Sequence, residues 1–188
     1  MKVGVLALQG AFREHAEALD ALGADVALVR RPEQLAGVDA IVLPGGESTT
    51  QEKLLDSSGL RGPLLAALGD DLPCLATCAG LILLAAEVRD GRPDQRPLAL
   101  LDVTVRRNGY GRQVMSFEAA LDVVGFDAPF PGVFIRAPRI VRAGRVEVLA
   151  EHEGDPVLVR SANIVGTCFH PELAGDLRLH ERFLSQVR

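Results

Sequence analysis

The chain has 188 residues, 48% of them hydrophobic and 24% charged, so one globular domain with a substantial core is expected over residues 1–188. Its 20 Lys and Arg against 25 Asp and Glu leave a net charge of −5, which argues against nucleic acid or an anionic membrane as the main partner. No apolar run reaches the length of a membrane span, and the 3 cysteines, which cannot all pair, fit a reducing cytoplasm.

Val3–Leu8 is a near-continuous apolar run, the pattern of a strand buried on both faces. It follows the start with a single charge, Lys2, so no cleavable export segment is expected. Gln9-Gly10 is a turn. Phe12–Leu22 sets Ala16, Leu19 and Leu22 on one face and Arg13, Glu14, Glu17 and Asp20 elsewhere, an amphipathic helix stopped by Gly23. Asp25–Val29 reads as a strand, Pro32–Leu35 as a short helix begun by proline, and Asp39–Leu43 as a strand closed by Pro44-Gly45-Gly46. Ser48–Leu55 and Leu60–Leu68 read as helices broken at Gly59, Cys74–Thr77 as a strand and Ala79–Val88 as the helix after it. Strands alternating with helices imply a parallel sheet with right-handed crossovers.

The second half changes character. Leu100–Arg106, Ala119–Val123, Val133–Ile135, Arg139–Val141, Val146–Ala150, Val157–Ser161 and Ile164–Cys168 read as short strands between Gly and Pro turns, and Asp176–Val187 as a closing amphipathic helix. Gly91–Pro97 is a surface loop. The expected architecture is a three-layer α/β domain with a mixed sheet.

Pro73-Cys74-Leu75-Ala76-Thr77-Cys78-Ala79-Gly80 carries the first chemical signal. A nucleophile mounted on a sharp strand-to-helix turn needs small residues two before and two after it, here Ala76 and Gly80. A thiol at a helix N-terminus gains thiolate character, and the Ala79 N–H can face an oxyanion. The alternative for Cys78 is a buried structural cysteine, and Cys74 and Cys168 read as ordinary core. A metal site from Cys74, Cys78, Cys168 and His170 would need the paired, short-spaced ligands that the chain lacks, so no metal and no cofactor is expected.

Phe169-His170-Pro171-Glu172 supplies a base and a carboxylate in a loop at a strand's C-terminal edge, where open α/β sheets place their sites. His170 can take the Cys78 proton and Glu172 can hold its tautomer, the parts of a triad that attacks an acyl carbon. His15, His152 and His180 carry no comparable context and read as solvated or packing residues. In Leu43-Pro44-Gly45-Gly46-Glu47-Ser48-Thr49-Thr50 the glycines let backbone approach a ligand. The Gly46 N–H is a second candidate oxyanion donor, Glu47 a candidate ammonium ligand, and the Ser48–Thr50 hydroxyls candidate helix caps. A phosphate site is the weaker reading, since no Gly-Lys-Ser/Thr follows.

Together, Thr77-Cys78-Ala79-Gly80, Pro44–Thr50 and Phe169–Glu172 resemble a class I (triad) glutamine amidotransferase domain. Further stretches are similar to the family of glutaminase subunits of pyridoxal 5′-phosphate synthase. These are Gly4–Ala11, Arg30–Leu35, Arg107-Asn108-Gly109-Tyr110-Gly111-Arg112-Gln113 with Ser116-Phe117-Glu118, and Val133–Pro138. The resemblance runs in order over essentially the whole chain, and the joint occurrence is far more specific than any one motif.

The resemblance implies a three-layer α/β/α sandwich with a mixed, mostly parallel sheet. It also implies hydrolysis of L-glutamine to glutamate and ammonia, which passes to a (β/α)8-barrel synthase subunit in a hetero-oligomer that builds vitamin B6. By the same resemblance Cys78 is the nucleophile, His170 and Glu172 its relay partners, and Gly46, Glu47 and Ser48 the glutamine-binding loop. Arg107, Ile135 and Arg136 are further substrate contacts, either arginine being suited to the carboxylate, and Gln9 and Gly10 lie near the oxyanion site and the partner interface. Two departures stand out: Ala76 where the family usually has glycine, and Met115 where aspartate is usual. The rival readings are a glutaminase subunit serving another synthase, such as the histidine-pathway enzyme, and a catalytically silent binding subunit.

Overall fold

The computed structural model describes residues 1–107, 109–110 and 116–187, so Asn108, Gly111, Arg112, Gln113, Val114 and the Met115 departure lie outside the described residues. The first half runs β1 (Lys2–Leu6), α1 (Phe12–Ala21), β2 (Asp25–Val29), α2 (Pro32–Leu35), β3 (Ala40–Leu43), α3 (Ser48–Ser57), α4 (Arg61–Gly69), β4 (Cys74–Thr77) and α5 (Ala79–Leu84). Then come β5 (Ala85–Arg89), β6 (Leu101–Arg106), β7 (Phe117–Leu121), β8 (Phe130–Phe134), β9 (Arg139–Ala143), β10 (Glu147–His152), β11 (Asp155–Ser161) and β12 (Ile164–Thr167). A 3-10 turn, Pro171–Leu173, and α6 (Arg178–Ser185) close the chain.

A 7-stranded sheet in the order β10-β11-β12-β4-β3-β1-β2 forms the centre. Neighbours from β12 to β2 are parallel, and β11 and β10 extend the sheet antiparallel. The apolar runs become strands with every residue of β3, β4 and β12 buried, as sheets covered on both faces require. The chain steps from β1 out to β2, then back past β1 to β3 and on to β4. Right-handed crossovers therefore put α1 on one face and α2 to α4 on the other, where α5 joins them by packing on α3. Packing agrees: α2 meets α4, α3 meets α5, and α6 joins α1 through a His15–His180 contact. The reversal of direction opens a crevice at the C-terminal ends of β1 and β3, beside the end of β4.

Several expectations need correction. The helix read over Ala79–Val88 stops at Leu84, and Ala85–Arg89 is strand β5. The returning chain is the cause: the Leu98 and Leu100 N–H groups donate to the Leu83 and Leu84 carbonyls at 2.6 and 2.9 Å, partnering the helix's last acceptors without another turn. The later strands do not all join one sheet. β5, β6 and β9 form a 3-stranded sheet and β7 and β8 a separate pair. Their aromatic residues pack between the layers; Phe134 contacts Phe117, Tyr110 and Phe169.

Candidate active site

The β4–α5 elbow has the geometry its small residues permit. Cys78 sits at φ 49° and ψ −100°, a left-handed conformation that disfavours a β-carbon. It is held there by its N–H, which donates to the Thr167 carbonyl at 2.8 Å, and by the Ile82 N–H, which donates to the Cys78 carbonyl at 3.2 Å. A Cβ on Gly80 would stand 2.2 Å from the Leu43 carbonyl oxygen, so the position tolerates only glycine. The Ala76 methyl is accommodated: it is buried in β4 between Leu43 of β3 and Gly166 of β12.

Sheet register brings the histidine to the thiol. Thr77 pairs with Thr167 across β4 and β12, so Cys78 and the segment carrying His170 leave adjacent strands side by side. The His170 N–H donates to the Val133 carbonyl at 2.8 Å, pinning this segment to β8. The imidazole lines the same cavity as the Cys78 side chain and is bonded through Nδ1 to Glu172 Oε1 at 2.7 Å. Burial disfavours the imidazolium, but the Cys78 and Glu172 side chains outweigh it and raise the His170 pKa. Burial likewise works against the Glu172 carboxylate, and the His15 and His170 side chains overcome it, so its pKa is lowered. Gly45 lies against this ring: a Cβ there would stand 2.3 Å from His170 Cε1 and 3.4 Å from Cys78 Cβ.

Cys78 and His170 open onto a cavity of about 100 Å³ lined also by Gly46, Glu47, Ser48, Ile82, Arg107, Ile135 and Arg136. Every substrate contact expected from the sequence lines it. Ile82, one helical turn beyond Cys78, was missed, although that spacing is legible. Arg136 has a φ of 45°, and the Ile135 carbonyl lies 4.0 Å from the Cys78 sulfur. Ala79 opens α5, so its N–H has no intrahelical acceptor. A larger cavity, about 590 Å³, lies at the opposite end of the sheet beside Asp39, Pro73 and Asn163, and neither cysteine nor histidine is among its lining residues.

Two expectations for the loop after β3 change. The cap of α3 is the Glu47 carboxylate, which accepts from the Thr49 and Thr50 N–H groups at 3.2 and 2.7 Å; the Ser48–Thr50 hydroxyls do not cap the helix. Glu47 also accepts from the Arg107 guanidinium, which in turn donates to Thr49 Oγ1 at 3.0 Å. The candidate ammonium and carboxylate ligands are thus paired with each other. Partial burial opposes the Glu47 charge, but the hydrogen bonds from Thr50 and Thr49, with Arg107, bring its pKa down to about 2. Gln9 Oε1 accepts from the Glu47 N–H at 2.8 Å, and the Ala11 N–H donates to the Gly45 carbonyl at 3.0 Å, so the Gln9-Gly10 turn braces this loop.

The cysteines separate by environment. Cys74 lies inside β4 and the Cys168 sulfur faces the Pro156 carbonyl; burial pushes both thiols well above their ordinary range. Of the two readings of His15 and His180, solvated or packing, burial removes the first. Both are fully buried and stand behind Glu172, His15 Nε2 lying 3.2 Å from Glu172 Oε2.

Residues 5–188 match the SNO glutamine amidotransferase family. The pyridoxal 5′-phosphate synthase subunit PdxT of Thermotoga neapolitana is 52% identical, with 100% of both chains covered. The subunit of the same name from Mycobacteroides abscessus is 53% identical over 99% of this chain and 97% of that one. A crystal structure of a glutamine amidotransferase superposes with a TM-score of 0.92 at 49% identity, covering 98% of each chain. The chain therefore belongs to the SNO glutamine amidotransferase family and has its class I amidotransferase-like fold.

Proposed function

We propose that this chain is the glutaminase subunit of a pyridoxal 5′-phosphate synthase, acting through Cys78, His170 and Glu172. The observation that carries the reading is Cys78 beside the bonded pair His170–Glu172, with Cys78 and His170 opening onto a small cavity lined by the loop after β3, Arg107 and Arg136.

The chemistry follows from these positions. The Cys78 sulfur attacks the side-chain amide carbon of glutamine, and the carbonyl electrons move onto oxygen. The N–H groups of Ala79 and Gly46 hold that oxyanion. His170, made imidazolium by the Cys78 proton, gives that proton to the departing nitrogen, and ammonia leaves as the thioester forms. Water then adds to the thioester, His170 taking its proton, and glutamate departs as the sulfur is released. Glu172 keeps the imidazole oriented throughout. Arg107 and Arg136 are placed for the α-carboxylate, and Glu47 meets the ammonium once Arg107 turns from it to the substrate.

No step needs a metal or cofactor. The ammonia passes to a (β/α)8-barrel synthase subunit in a hetero-oligomer, and the Gln9-Gly10 turn, by the family resemblance, lies toward that partner. Three unpaired thiols support a cytoplasmic protein. Residues 1–188 act as one glutaminase unit.

The deciding experiment measures glutamine-dependent ammonia release with and without the synthase subunit. Addition of the subunit is expected to raise the rate, and Cys78→Ala to abolish it with the fold intact. Wild-type turnover by Cys78→Ala would refute the nucleophile, and no response to the synthase would refute the subunit assignment.

A further inference from the structure

Behind Glu172 lies a buried polar group that the proposed hydrolysis does not use. His15 of α1 and His180 of α6 are both 0% exposed. His15 Nδ1 lies 3.0 Å from His180 Nε2, and His15 Nε2 lies 3.1 Å from Thr77 Oγ1 and 3.2 Å from Glu172 Oε2. Thr77 is the residue before Cys78. Glu172 Oε1 is committed to His170, and Oε2 has no full hydrogen bond among the described residues. A carboxylate buried this completely needs a donor near its second oxygen.

The contacts select one pair of tautomers. The Glu172 carboxylate can only accept, so the favourable tautomer has hydrogen on His15 Nε2, bonded to Thr77 Oγ1 at 3.1 Å with Glu172 Oε2 3.2 Å from the same nitrogen. His15 Nδ1 is then bare and accepts from the His180 Nε2–H. That leaves His180 Nδ1 as a bare nitrogen, and it has no partner among the described residues. The opposite assignment would bury an unpaired His180 N–H and set a His15 lone pair against the carboxylate, costing more on both counts. Burial lowers the pKa of both rings, that of His180 to about 3, so both remain neutral donors at ordinary pH.

Resting on the triad reading above, we propose that His15, held by His180, is a positioning residue. Its Nε2–H fixes the second oxygen of Glu172, and thereby the pose in which Glu172 orients His170. Its link to Thr77 ties that pose to the strand carrying the nucleophile. The arrangement places a neutral donor, and no competing cation, behind the acid, leaving the full carboxylate charge to the imidazolium that forms during turnover. The titratable groups facing this pair are Glu14 on α1 itself, and Glu172 and His170 at the 3-10 turn.

The test compares His15→Leu, which removes the donor, with His15→Gln, whose amide restores an N–H near the Nε2 position. His170→Asn serves as the triad control. Glutamine hydrolysis by the complex with the synthase subunit is followed across pH, together with iodoacetamide alkylation of Cys78. His15→Leu is expected to lower kcat by roughly 10- to 100-fold, with KM changing less than about threefold. It should also move the alkaline limb of the pH profile about one unit lower, because a poorly held Glu172 supports the imidazolium less. His15→Gln should recover most of both effects. Wild-type kcat and pH profile in a folded His15→Leu would overturn the proposal. So would equal losses in the Leu and Gln variants with an unmoved alkaline limb, the result of a packing role alone. If His15→Leu does not fold, His180→Leu is decisive: the limb should move the same way by a smaller step, and an unmoved limb overturns the proposal. Unchanged turnover in His170→Asn would instead refute the triad.

Discussion

Cys78 occupies a conformation that costs a non-glycine residue about 1–3 kcal/mol, and neighbouring backbone hydrogen bonds hold it there. Glycine adopts that conformation freely. Cys78→Gly is therefore expected to be inactive like Cys78→Ala, yet more stable than it by about 1 kcal/mol in urea unfolding. Equal stabilities would mean that the elbow stores no strain. Gly45 gives a complementary prediction, because a methyl there must push on the His170 ring. Gly45→Ala should lower kcat by about 100-fold or more, since displacements of 1 Å cost that much, with little change in far-UV circular dichroism. At Glu47 the folded-state pKa lies below the ordinary 4.5, at about 2. Its capping of α3 thus stabilises the fold fully above pH 4.5 and loses that contribution as pH falls toward 2. Against Glu47→Ala, an advantage of about 1 kcal/mol at pH 7 should shrink across that interval and vanish at its lower end; urea titrations at several pH values measure it.

At the level of elements, α6 is tied to the segment between β7 and β8 by two arginines: Arg182 donates to the Val124 carbonyl and lies over Phe126, and Arg178 makes the larger set of contacts. Arg178 pairs with Asp176, donates to the Ala128 and Pro129 carbonyls at 2.8 and 2.9 Å, and lies over the Phe126 and Phe130 rings. A planar guanidinium can meet all of these at once and an ammonium cannot. Arg178→Lys should therefore lose most of what Arg178→Ala loses, about 2 kcal/mol by denaturant unfolding. Full retention of stability in the Lys variant would refute the fork. The elements themselves were legible to different degrees. Asp25–Val29, Pro32–Leu35 and Cys74–Thr77 match their sequence-based bounds because turn residues flank each one. The end of α5 was not legible, because Leu81–Ala86 is apolar throughout and has no period to separate helix from strand. Chain return at Leu98 and Leu100 settles it.

For the molecule as a whole, three buried thiols sit within one sheet environment, and Cys78 is the one that lines the candidate site's cavity among the described residues. Iodoacetamide should label one cysteine of the folded protein, identified by peptide mass as Cys78, with Cys74 and Cys168 reacting only on unfolding. Rapid labelling of Cys168 in the native state would overturn this account of the layers. The order of strands makes the difference. Pairing β4 with β12 carries Cys168 into the core and His170 to the rim, where the switch between β1 and β3 leaves room for a ligand.

What the residues alone determined was the fold class, the strand-to-helix elbow, the family, and the side chains around the cavity apart from Ile82. Those follow from local periodicity and from motifs contiguous in the chain. The tertiary structure alone decided who answers whom. Glu47 and Arg107 meet each other, and the His15–His180 pair stands behind Glu172. Each of these contacts joins residues far apart in sequence, and burial makes it count, because a polar group removed from water must find its partner wherever the fold supplies one.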